Sequence, residues 1–139
     1  LKAGYIVLAD RYIYTAYVRD IVRSCSDTWV KNLYSFAFEP DITFYFKLPT
    51  ETAVNRILMN RKKIKYFEAG MDLNLSADIV ESFKLYQEKI ANAYDDMSPN
   101  YSFVTIDGSQ PIHHQQQHVR QYVEQSLDLK CYQKGIIYE

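Results

Sequence analysis

Glycine is scarce in this chain: Gly4, Gly70, Gly108 and Gly135 are the only four in 139 residues. They lie too far apart for a glycine-rich loop that wraps a phosphate in backbone N–H groups, and no G-x-x-x-x-G-K-[ST] run occurs. Cysteine is scarcer still. Cys25 and Cys131 stand in no ligand spacing, which argues against a disulfide framework or a zinc site and makes a reducing cytoplasm the expected compartment. The apolar runs fall far short of the ~20 residues a membrane helix needs, and nothing at the N-terminus reads as a signal peptide. The net charge of −1 provides no general basic field, so any electrostatic function must be local. Neither nucleic acid nor a membrane is an expected partner.

What the chain does have is an ordinary globular composition, nearly half apolar, with tyrosine used 13 times. Its length suits one compact domain. Tyr5 to Ala9 (YIVLA) reads as a strand buried on both faces, and a helical pattern follows from Tyr12 to Cys25. Ser26-Asp27 is the expected cap of a second helix, Thr28 to Ala37, with Trp29, Val30, Leu33 and Phe36 apolar. Ile42 to Phe46 is a second strand. Pro49-Thr50-Glu51 opens a third helix with Ala53, Val54, Ile57 and Leu58 on its apolar face. After a basic segment ending at Gly70, Ser76 caps a long helix to Met97, striped by Ile79, Phe83, Tyr86, Ile90 and Tyr94. Ser102 to Ile106 is a third strand, and Pro111 starts a last helix with Ile112, Val119, Val123 and Leu127 inward. In the tail, Gly135 to Tyr138 is a candidate small strand. Strands alternating with helices imply an α/β fold with a parallel sheet, whose ligands bind beyond the carboxyl ends of the strands.

Three strand ends are thus expected on one rim: Asp10-Arg11, Lys47, and Asp107-Gly108-Ser109. A guanidinium matches phosphate oxygens as a planar fork, and an aspartate is a hard ligand for Mg²⁺ or its waters. The free N–H groups of the next helix face the same spot. The alternative is that Asp10 and Arg11 pair with each other or cap that helix. Arg56, Arg61, Lys62, Lys63 and Lys65 place five cations within ten positions. They suit either a mobile cationic lid over phosphates or a solvated helix terminus. His114 and His118, an i, i+4 pair beside His113, have no supporting acid and several glutamines around them, so a solvent-facing helix surface is expected rather than a metal site.

Together these motifs resemble the thymidylate kinase family of P-loop nucleoside-monophosphate kinases. Asp10-Arg11-Tyr12 followed by Tyr14-Thr15 is similar to the family's DRY/DRH strand end. Pro40 to Phe46 resembles its PDL-type strand, and Thr50 to Ile57 its helix into the lid. Phe67-Glu68 resembles the lid's R-[FY]-E motif, Phe83 to Tyr94 the helix after it, and Ile106 to Ile112 the IDA-[ST]-x-x-I element. The resemblance covers about Tyr5 to Leu127 and implies part of a three-layer kinase fold, with a lid over about residues 59–75 and a tail at 128–139. It implies ATP-dependent phosphorylation of a nucleoside monophosphate such as dTMP, with Mg²⁺. Arg11 would grip the acceptor's phosphate, and Asp10 would organise the metal through its water shell. Arg61 would stabilise the transferring group, alongside the lid residues Lys62, Lys63, Lys65, Phe67 and Glu68. Tyr12, Tyr14, Thr15, Tyr17 and Arg19 would line the acceptor site. Arg56, Asp107, Gly108 and Ser109 would contact the adenine end of ATP.

Three positions depart from the family pattern. Tyr66 stands where the lid arginine is usual, with Lys65 beside it. Val18-Arg19-Asp20 occupies the place of Ala-Tyr-Gln, so that Arg19 and Asp20 either read a base edge or form a surface ion pair. The P-loop is missing altogether. By the family's strand order it belongs between the strands at Tyr5 and Ile42, and without it a gap of ~10 Å separates them, twice the ~4.8 Å strand spacing. The chain, opening on Leu1, is therefore expected to be the C-terminal portion of a kinase that needs an N-terminal P-loop segment and is inactive alone. The helices carrying Tyr14, Val18, Trp29 and Phe36 are the expected contact surface of a homodimer. The competing readings are a kinase for another nucleotide or nucleoside, and a non-catalytic nucleotide- or partner-binding module.

Overall fold

The computed structural model describes residues 5–60 and 63–132. Its elements run α1 (Ile13–Val22), α2 (Asp27–Leu33), β1 (Phe44–Lys47), α3 (Thr50–Asn60), α4 (Ile79–Met97), β2 (Val104–Asp107) and α5 (Ile112–Ser126), with short 3₁₀ turns at Met71–Leu73 and Leu129–Tyr132. The two strands pair in parallel, with Phe44 opposite Val104 and Lys47 opposite Asp107. A parallel pair needs a long crossover, and α3 and α4 provide it. The α/β class expected from the alternating pattern is thus present as a small parallel sheet.

Helix α4 is the centre of the packing, with α1 on one side and α3 on another. Its asparagine-free first turn is capped by Asp78, whose carboxylate accepts from the Glu81 N–H at 2.8 Å. The expected cap, Ser76, instead accepts from the Asp78 N–H. Among the described residues two apolar clusters form. The larger joins Ile13, Tyr14, Tyr17 and Val18 of α1 to Val30 and Met97, with Tyr94, Tyr101 and Phe103 packed against them. The smaller joins Val54 of α3 and Phe83 of α4 to Ile64 and Ala69. The Phe83 ring is fully enclosed.

Residues 5–9 are not a strand. Tyr5, Ile6, Val7 and Leu8 are exposed, Leu8 at 92%. Their apolar, β-branched run expresses a preference for burial, but a strand also needs a neighbour to take its backbone hydrogen bonds. Among the described residues the only ladder is β1–β2. Helix α2 stops at Leu33 instead of Ala37, and of its apolar residues only Val30 is buried; Trp29, Leu33 and Phe36 face solvent. On α5, Ile112 is also exposed, while Val119, Val123 and Leu127 are half-buried. Tyr122 packs edge-on against Phe44, linking α5 to the sheet. The candidate strand at 135–138 lies outside the described residues.

Candidate functional site

The carboxyl ends of β1 and β2 meet at Lys47 and Asp107. The chain turns immediately beyond them, with the Gly108 N–H donating to the Lys47 carbonyl at 2.8 Å. A Cβ on Gly108 would stand 3.0 Å from that carbonyl oxygen, so the residue with the smallest side chain permits the close approach. Asp107 organises the loop by accepting from the Ser109 N–H at 2.8 Å, the Ser109 hydroxyl at 2.5 Å and the Gln110 amide at 3.0 Å. These donors, the Ser109 hydroxyl foremost, hold its carboxyl below the ordinary aspartate range. The Gly108 carbonyl accepts from Arg56 Nη1 of α3 at 3.3 Å and from Gln115 Nε2 of α5 at 3.2 Å. Arg56, Asp107, Gly108 and Ser109 are therefore one constellation. Lys47 is turned aside into an ion pair with Asp95 of α4 at 2.7 Å.

Asp10 and Arg11 stand at the entrance to α1. Both are exposed, and neither has a side-chain partner among the described residues. They do not pair with each other, and the N-cap of α1 is Tyr12, with no side-chain capping bond. Arg11 adopts φ = 61°. For a bulky residue, the left-handed region costs roughly 1–2 kcal/mol and commonly marks a functional constraint. The third strand end of the expected rim is lost with the strand itself, because Asp10-Arg11 follows an unpaired segment.

The remaining acceptor-site candidates divide. Tyr12 is exposed, and the Thr15 hydroxyl accepts from the Tyr94 hydroxyl at 3.1 Å. Tyr14 and Tyr17 lie in the aromatic core, 6% exposed each; the Tyr14 ring sits 4.8 Å from both Tyr101 and Phe103. Burial pushes both phenols up. Arg19 is exposed and forms no ion pair with Asp20, whose carboxylate accepts instead from the Tyr34 hydroxyl at 3.2 Å.

In the basic segment, Lys63, Lys65, Tyr66 and Phe67 are exposed and Glu68 is half-buried. Arg61 and Lys62 lie outside the described residues. The segment is anchored where it ends. Ser82 of α4 donates to the Ala69 carbonyl at 2.8 Å inside the core, and Gly70, at φ = 64°, lies flat against Tyr86. Arg23, Asp72 and Tyr86 form a further polar cluster here, with Arg23 Nε 2.9 Å from Asp72 and Arg23 Nη1 2.6 Å from the Tyr86 hydroxyl. Arg23 holds the Asp72 carboxyl below its usual range. Sequence reasoning missed this cluster and the Gln115 contact. Its members are separated by 49 and 63 residues, so no local pattern could have joined them.

The thymidylate kinase family model matches residues 1–119. The chain belongs to the thymidylate kinase family. It is 43% identical over 129 residues to a probable thymidylate kinase 2 of Saccharolobus solfataricus, covering 92% of this chain and 61% of that protein. It is 32% identical over 100 residues to a probable thymidylate kinase of Thermococcus kodakarensis, covering 70% of this chain and 48% of that protein. A thymidylate kinase of Brachyspira hyodysenteriae is 33% identical over 84 residues, or 60% of this chain and 41% of that protein. The chain thus spans about two fifths to three fifths of the length of these curated relatives. Among the described residues no three histidine, cysteine or acidic side chains cluster to hold a metal, and no helix is long and apolar enough to cross a membrane.

Proposed function

We propose that this chain is the acceptor, lid and adenine-loop portion of a cytoplasmic thymidylate kinase, which transfers the terminal phosphoryl group of ATP to dTMP. The observation that carries this reading, beside the family membership, is Arg11: exposed, unpartnered among the described residues and held at a left-handed φ at the entrance to α1. Its guanidinium is committed to no other side chain among the described residues and stays open to solvent. It is suited to take two oxygens of the acceptor's phosphate, with the uncapped first turn of α1 adding N–H donors.

Asp10 fits a magnesium ion in the manner usual for that metal, as one carboxylate acting with substrate phosphates and waters in place of a protein cage. Its oxygens have no partner among the described residues, and no denser acidic cluster competes with it there. The metal, when bound, would neutralise charge on the transferring phosphates. Arg56 and the Asp107-Gly108-Ser109 loop would receive the adenine, since the loop is rigidified from both α3 and α5. Tyr12, Thr15 and Arg19 would face the acceptor, whereas Tyr14 and Tyr17 support that wall from within the core. Lys63, Lys65 and the lid cations Arg61 and Lys62 would balance the charge spread over the transferring group. There is little covalent work to do, so positioning and electrostatics carry the rate.

The phosphate-cradling loop, absent from these residues, would come from another part of the protein and complete a three-layer kinase fold. It would also give the exposed Tyr5–Leu8 run a strand to pair with. Trp29, Leu33, Phe36 and Phe38 form an exposed apolar set on and beyond α2 that would suit a homodimer contact. Tyr14 and Val18, once expected in that contact, are buried inside the chain. Arg11→Met in the full-length enzyme tests the central assignment. Loss of the clamp should lower kcat/KM for the acceptor by at least about 10²-fold, in line with other charge-stabilising donors. A loss of less than a few-fold would remove Arg11 from the site.

A further inference from the structure

Arg23 ends the helix that Arg11 and Tyr12 begin. All five of its N–H donors are engaged: Nε and Nη2 on the Asp72 carboxylate at 2.9 and 3.4 Å, Nη1 on the Tyr86 hydroxyl at 2.6 Å and the Arg19 carbonyl at 3.3 Å, and Nη2 on the Phe67 carbonyl at 3.5 Å. Its guanidinium carbon also lies 5.1 Å from the Tyr86 ring centre. Three of those bonds cross to Phe67 and Asp72, which bracket Gly70 at the end of the basic segment. A fourth reaches α4. The guanidinium is thus a junction of three elements, one of which carries Arg11 at its far end.

We infer that Arg23 is a positioning residue for phosphoryl transfer, fixing the Lys63–Leu73 segment at a set distance from the acceptor-phosphate clamp. The inference rests on the phosphotransfer reading above. Helix α1 is a strut of ten residues, about 15 Å long. With Arg23 in place, the exposed Lys63 and Lys65 are carried on a segment whose base is tied to the end of that strut. Without it, each nucleotide still meets its own contacts, but the two halves of the site lose their common reference. A displacement of about 1 Å between reacting groups costs up to about 10²-fold in rate.

The test uses the full-length protein with ATP, Mg²⁺ and dTMP. Arg23→Met is expected to lower kcat about 10- to 100-fold while the KM values for both nucleotides stay within about three-fold. Amide hydrogen exchange should rise at Phe67 to Leu73 and stay slow in the Phe83 region of α4. Arg23→Lys should fail to restore kcat, because one ammonium cannot fork onto a carboxylate while reaching a phenol and two carbonyls. Asp72→Asn should reproduce most of the loss and add little to Arg23→Met. A merely structural residue would lower the melting temperature and leave kcat per folded molecule unchanged, and that result overturns the inference. So does unchanged exchange at Phe67 to Leu73. If the wild-type protein transfers no phosphate, the phosphotransfer reading falls and takes this role with it. Wild-type turnover with Arg23→Met inside two-fold overturns the role of Arg23 alone.

Discussion

Replacing Gly70 with alanine should destabilise the protein by two routes. The first is the backbone. Gly70 sits at φ = 64°, a left-handed conformation that costs a side-chain-bearing residue roughly 1–2 kcal/mol. The second is steric. An added Cβ would lie 2.6 Å from Tyr86 Cγ and 2.8 Å from Tyr86 Cβ and Cδ2, distances that real contacts do not reach. Tyr86 is only 4% exposed, and its hydroxyl is tied to Arg23, so the ring cannot swing clear without opening the cluster. Overpacking of this kind costs about 1–3 kcal/mol, so the two terms sum to about 3 kcal/mol. At about 2–4 °C per kcal/mol, the scale for domains near 150 residues, that is a fall of about 6–12 °C in melting temperature. Gly70→Asn recovers part of the backbone cost, because asparagine tolerates the left-handed region, but it brings three further heavy atoms into the buried space beside Tyr86 and should lose as much as alanine or more. Thermal or denaturant unfolding of both variants provides the numbers. Gly70→Ala within about 0.5 kcal/mol of wild type would refute the packing described around Tyr86.

Phe83→Ala should cost about 3–5 kcal/mol in denaturant unfolding, because the ring is fully enclosed among Val54, Ile64 and Ala69. Arg56→Met should raise the KM for ATP about ten-fold and leave the acceptor KM unchanged, since Arg56 holds the Gly108 carbonyl of the proposed adenine loop. Asp72 has its pKa lowered by Arg23, so its contribution to stability is full above the ordinary carboxylate pKa of about 4 and fades as pH falls through the lower folded value. Melting temperatures from pH 6 down to about pH 3 should therefore fall more steeply for wild type than for Asp72→Asn. Equal slopes would mean that the pair contributes nothing to the pH dependence.

The helices were legible because their apolar residues recur at three and four positions, as in the Phe83, Tyr86, Ile90, Tyr94 stripe, and because proline and small polar residues punctuate them. The Asp107-Gly108 turn was legible for the same reason: both residue types favour turns for local reasons. What failed was whatever depended on a partner distant in sequence. Tyr5 to Ala9 has the composition of a buried strand, yet composition cannot supply a neighbour, and the run is left exposed. Tyr14 and Tyr17 sit beside the Asp10-Arg11 motif in sequence, but α1 turns their rings onto Tyr101 and Phe103 and away from the entrance. Arg23 belongs to no local motif, and only folding brings Asp72 and Tyr86 to it, 49 and 63 residues away.

The most direct test of the account is phosphate transfer by the full-length protein, supplied with ATP and Mg²⁺ and offered dTMP beside a panel of other nucleoside monophosphates. Formation of ADP and dTDP, with dTMP preferred, is the predicted result. Folded protein that leaves ATP intact with every acceptor would contradict it.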